Sequence, residues 1–125
     1  DALHLEYPNM VQLDAPLIAG LLAERLLSYL HDGLNMVFFT NSGAESNEGA
    51  IKFARKATGR NRIVYLNHAF HGLTTGTLAI NGGREFRQGF GTFIDASPIE
   101  LGDLNALENE LKKEDVAAFF FEPIQ

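Results

Sequence analysis

The feature that most constrains this sequence is the repeated pairing of a short, nearly continuous apolar run with a segment of helical period. RIVYL (62–66) and VAAFFFE (116–122) carry β-branched and aromatic residues without the in-out alternation of a sheet that faces water on one side. Such strands need cover on both faces. The cover is at hand: Ala50, Phe53, Ala54 and Ala57 recur at helical spacing before Gly59, and Leu104, Leu107 and Leu111 follow Asp103, a residue suited to an N-cap. MVFFT (36–40) reads as a further buried strand ahead of the first of these helices. Strands alternating with helices predict right-handed βαβ units and an α/β fold, three layers αβα deep, with a mostly parallel sheet.

The remaining segments are read in the same way. Pro16 suits the first turn of a helix whose stripe is Ile18, Leu22 and Leu26, joined by Leu21 and Leu30, with Gly33 as its stop. The residues up to Asp14 read as irregular, HAFHGLTTGTLAINGG (68–83) as a loop with a short helix, and 93–96 as a short strand. A length of 125 residues, 46% hydrophobic and 21% charged, fits one domain over 1–125. The net charge of −6 argues against a nucleic-acid partner, which is held by clustered Lys and Arg. Without cysteine there are no disulfides or thiolate metal sites, and a reducing, cytoplasmic compartment suits the chain. No apolar run approaches the roughly 20 residues that span a bilayer, and DALHLEYPNM lacks a basic signal-peptide start.

FFTNSGAESNEGAIKFARKATG (38–59) joins a predicted strand to a helix through a tight turn. The helix N-terminus then stands at the carboxyl end of a strand, where open α/β sheets bind ligands. Unpaired N–H groups and the positive end of the helix dipole favour an anion there, and Gly43 lets a phosphate approach closely. The same spacing, Ser42-x-x-Glu45, is also an ordinary capping box, with Ser42 accepting from the Glu45 N–H and Glu45 reaching back to the Ser42 N–H. Neither familiar nucleotide motif fits. Gly43 and Gly49 are followed by Ala50 where a Walker loop requires Lys, and G-x-G-x-x-G is missing from this loop.

FFTNSGAESNEGAIKFARKATGR, followed in order by FHGLT, REFRQGFG and FFFEPIQ, resembles the large domain of class III aminotransferases, pyridoxal-phosphate enzymes of fold type I that include acetylornithine, ornithine and putrescine aminotransferases. The resemblance implies that the cofactor phosphate rests on Ser42, Gly43 and Ala44 and that Phe70, before His71 and Gly72, stacks on the pyridine ring. It implies that Glu122 and Gln125 pass beside cofactor and substrate, with Asn47 and Glu48 as further polar contacts behind the phosphate loop. A structural role in the turn is favoured for His71 over acid/base work, since no sequence partner is evident.

The resemblance also implies an amino acid or amine donor, a 2-oxo acid acceptor and a homodimer. The lysine that bonds to the cofactor and the aspartate that faces the pyridine nitrogen would follow EPIQ in the family, so the chain reads as a truncated large-domain segment that is not competent alone. Lys52, Lys56, Lys112 and Lys113 are all expected on solvated helix faces. The alternatives are a noncatalytic phosphate-ligand or assembly module, and part of a related aminomutase. Strands this apolar also predict exposed edges and self-association.

Overall fold

The structure is a computed structural model and describes residues 16–91 and 93–125. It divides into two compact units, 1–39 and 40–125.

In the first, Pro16 caps helix α1 (Leu17–Leu27). The helix stops before Leu30 and Gly33, short of the expected end. Ser28 Oγ donates to the Arg25 carbonyl (2.7 Å), and the Tyr29 and Leu30 amides turn to carbonyls three residues back, which tightens the last turn and closes it. The expected strand at 36–40 does not form: the segment takes no part in the sheet, and Met36 is 87% exposed. Apolar composition marked the run, but strand formation depends on tertiary context as well as on composition.

In the second unit the order is α2 (Gly43–Thr58), β1 (Arg62–Leu66), α3 (Thr75–Ala79), a 3-10 turn at Arg84–Phe86, β2 (Ala96–Ile99), α4 (Leu104–Leu111) and β3 (Val116–Phe120). The three strands are parallel in the order β2-β1-β3. Strand β2 begins where the sequence reading would have ended it. Pro98 is tolerated there because β2 is an edge strand, where a missing N–H need not break the ladder.

Helix α2 ends as its sequence dictates, with Gly59 in the left-handed conformation (φ 69°) and its N–H on the Arg55 carbonyl. Asp103 caps α4 by accepting from the Ala106 N–H (2.8 Å).

The core lies on both faces of the sheet. On one, Val64, Leu66, Ile99 and Val116 meet Ala106 and Leu107 of α4. On the other, Ile63 and Tyr65 meet Ile51 of α2 and Ile80. This is the three-layer αβα arrangement, with every residue of β1 buried.

The amino ends of the strands are joined by Arg62. Its buried guanidinium donates to both carboxylate oxygens of Asp115 (2.9 and 2.6 Å), to Ser97 (3.1 Å) and to Glu110. These bonds tie β1 to β2, to the end of α4 and to the turn before β3. Hydrogen bonds from Lys113 and Arg62 hold the Glu110 carboxyl below its ordinary 4.5, and Arg62 holds that of Asp115 below 3.8. A lowered carboxylate pKa stabilises the fold above the unfolded value, and the contribution is lost as pH falls through the folded one. Thermal melts between pH 7 and 3 are therefore expected to show stability falling below about pH 4.5. Arg62→Met should flatten that dependence while lowering the melting temperature at pH 7.

Candidate functional site

The predicted site residues come from three places: the first turn of α2, the loop after β1 and the segment after β3. Ser42 is the N-cap of α2 and its Oγ accepts from the Glu45 N–H (3.2 Å). The other half of the expected capping box is displaced, since the Glu45 carboxylate accepts from the Asn41 N–H (2.7 Å) rather than that of Ser42. Among the described residues none accepts from the Gly43 or Ala44 N–H. A Cβ built on Gly43 would meet nothing within 4 Å, so the end of the helix is open.

The loop after β1 carries Phe70, His71 and Gly72. Gly72 has φ 128° and packs on the helix; a Cβ there would lie 2.5 Å from that of Ala44. Asn47 Nδ2 donates to the His71 carbonyl (2.8 Å). Asn81, fully buried, accepts from the His71 N–H and donates to the Gly72 carbonyl, both at 2.7 Å. The amino end of α2 thus reaches the carboxyl edge of the sheet by packing on the loop that follows β1, and not by following a strand of its own.

Phe70 is 49% exposed, with Phe86 edge-on to its ring at 5.5 Å. Its N–H donates to Glu122 Oε2 (3.2 Å), which also accepts from Gln125 Nε2 (2.8 Å). Gln125 reaches on to the His68 carbonyl (3.3 Å), so the segment after β3 is bonded to the loop after β1. The bonds from Gln125 and Phe70 hold the Glu122 carboxyl below its ordinary value against the opposing effect of burial.

His71 is 7% exposed, its ring lies edge-on to Phe120 at 5.7 Å, and its Nε2 has no hydrogen-bond partner among the described residues. Burial pushes its pKa down, opposed by Glu122, so the imidazole is neutral at pH 7.

Ser42, Gly43, Ala44, Phe70, His71, Glu122 and Gln125 therefore lie along one connected path. Asn81 and Phe86 were missed. An Asn before Gly reads as a turn, and nothing in the sequence shows that its side chain is bonded at both ends. The four lysines are exposed, two on α2 and two directly after α4.

Residues 10–125 match the family Aminotransferase class-III. The chain belongs to the class III aminotransferases. It is 40% identical over 94% of its length to aminotransferase PigE of Serratia sp., spanning 14% of that protein. It is 41% identical over 86% of its length to the acetylornithine aminotransferase of Halalkalibacterium halodurans, spanning 27% of it. The ornithine aminotransferase of Toxoplasma gondii, solved with partial occupancy of pyridoxal phosphate at its active site, superposes with a TM-score of 0.87. It is 26% identical and covers 99% of this chain and 31% of that one. Taurine:2-oxoglutarate aminotransferase of Bifidobacterium kashiwanohense, in complex with pyridoxal phosphate and glutamate, gives a TM-score of 0.79 at 30% identity over 92% of this chain and 31% of that one.

Class III aminotransferases and their solved structures depend on pyridoxal phosphate, and the residues here fit such a group. The open helix end offers two N–H groups to a phosphate, and the half-exposed Phe70 ring offers an apolar surface to a flat heterocycle.

Proposed function

We propose that this class III aminotransferase chain holds the phosphate and the ring of pyridoxal phosphate in an enzyme that moves an amino group between an amino acid or amine and a 2-oxo acid. The observation that carries the reading is the open, unpaired first turn of α2 bonded directly to the loop that presents Phe70. When bound, pyridoxal phosphate supplies the electron sink for amino-group exchange. The chain's own residues bind and orient. The Gly43 and Ala44 amides, with Ser42 at the cap, hold the phosphate; Phe70 fixes the ring plane and excludes water.

Glu122, ionised and fixed by Gln125 and the Phe70 N–H, holds negative charge beside the ring site. His71 keeps a neutral, buried imidazole behind it. None of the four lysines lies in the described site, so covalent attachment requires a lysine other than these. Association with a second copy completes the proposal. The exposed Leu101, Leu104 and Phe121, which line one apolar groove, support it.

Titration of the purified chain with pyridoxal phosphate, followed by borohydride reduction and mass measurement, tests both parts. Saturable binding that Phe70→Ala weakens about tenfold, with no stoichiometric adduct, is the expected result; sedimentation of the same sample should show a species larger than a monomer. A single stoichiometric adduct on one of the four lysines would overturn the division of labour. Binding indifferent to Phe70→Ala would overturn the ring assignment.

A further inference from the structure

We infer that one face of α2, formed by Ala44, Asn47 and Glu48, is a positioning face that locks the Phe70–Gly72 loop to the phosphate-binding end of the same helix, so that phosphate and ring are bound as one coupled site. The inference rests on the pyridoxal-phosphate reading above.

The three residues stand at i, i+3 and i+4, and so share a face of the helix that starts at its open end. Each engages a different part of the loop by a different kind of contact. Ala44 meets Gly72 so closely that a side chain at Gly72 has no room. Asn47 donates to the carbonyl of His71, the residue next to Phe70. Glu48 accepts from Thr74 Oγ1 (2.6 Å) and from the N–H groups of Gly76 (2.8 Å) and Thr77 (3.3 Å). That carboxylate satisfies amides at the start of α3 that the helix itself leaves unpaired. A Cβ on Gly76 would run into it. This segment, rich in Gly and Thr, is pinned at 71, 72, 74, 76 and 77 to the helix that takes the phosphate.

The consequence follows from the ligand's rigidity. Phosphate and ring are parts of one small molecule, and once the phosphate is seated the ring meets its partner at a high effective concentration, provided that the partner's position is fixed. A loosened loop keeps the phosphate contacts but forfeits that advantage. Asn47 and Glu48 touch neither half of the ligand in this account and act through the loop.

The test compares dissociation constants for inorganic phosphate and for pyridoxal phosphate in the unaltered protein, in Asn47→Leu and in Glu48→Gln, with thermal melts of each. Asn47→Leu is expected to weaken pyridoxal phosphate about tenfold, the scale of losing one partly buried hydrogen bond and leaving its carbonyl unpaired. Inorganic phosphate should stay within about twofold, because its N–H donors are untouched. Glu48→Gln keeps the side-chain volume and one acceptor, so it remains informative if Asn47→Leu does not fold; a loss of about threefold in the same selective pattern is expected. Parallel weakening of both ligands, or no weakening of either, overturns the inference and leaves the cofactor reading standing. Failure of the unaltered protein to bind either ligand overturns the cofactor reading, and the inference with it.

Discussion

Gly43→Asp is expected to leave the fold as stable as before, or slightly more so, while weakening pyridoxal phosphate binding by at least about tenfold. The two effects have opposite signs for one reason. Gly43 is the first residue of α2, and a side chain there meets nothing within 4 Å. An acidic residue at that position complements the helix dipole by about 0.3–1 kcal/mol, and replacing glycine within a helix adds roughly 0.5 kcal/mol more. The same charge stands where a phosphate must arrive, and its repulsion of a dianion a few ångströms away is worth about 2 kcal/mol even near water. A thermal melt and a cofactor titration on one sample read both signs. If melting temperature and affinity fall together, the loss is one of folding, and the phosphate seat does not lie at this helix end.

Gly72→Ala should cost about 2–4 kcal/mol of stability. Two penalties act at once. The backbone at φ 128° lies where residues with a side chain are strained, and the new methyl would stand 2.5 Å from the Ala44 Cβ. A second change separates them. Ala44→Gly in the Gly72→Ala background removes the contact with the Ala44 Cβ but neither the 2.8 Å approach to the Ala44 Cα nor the strain, so the pair should recover less than half of the lost stability. Full recovery would mean that the backbone conformation carries no cost, and none would mean that the Ala44 side chain contributes nothing to the penalty.

Those two glycines illustrate what the sequence made legible. The helix start at Ser42, the stop at Gly59, the strand at 62–66 and the cap at Asp103 are local signals, and each reappears in the structure; the strand expected at 116–122 forms over Val116–Phe120. Where sequence reading went astray, the deciding partner was distant. Residues 36–40 have the composition of a strand but no place in the sheet, and β2 follows the register of β1 through Pro98 rather than the apolar cluster before it. In the site, the open helix end was readable from one segment alone. The bonds that join it to the rest were not, since they run from Asn47 to a carbonyl 24 residues on and from Glu122 to an amide 52 residues back. The resemblance to the family set those residues side by side, and the structure supplies the hydrogen bonds between them.

The buried Asn81 has a bearing on how the protein ages. Asn followed by Gly is the pair most prone to lose its side-chain ammonia, because the next backbone nitrogen can attack the amide carbon with little steric hindrance. Here Gly82 follows Asn81, yet both reactants are tied: the side chain is bonded at each end to the His71–Gly72 loop, and the Gly82 N–H is held by the Ala69 carbonyl (2.9 Å). The reaction must wait until the loop opens. The aspartate it produces would set an acceptor against the Gly72 carbonyl where a donor had been, so the loop could not close again as before. Each opening of the aromatic-bearing loop thus exposes it to irreversible chemical damage, and the slow gain of one negative charge in stored protein would record how often it opens.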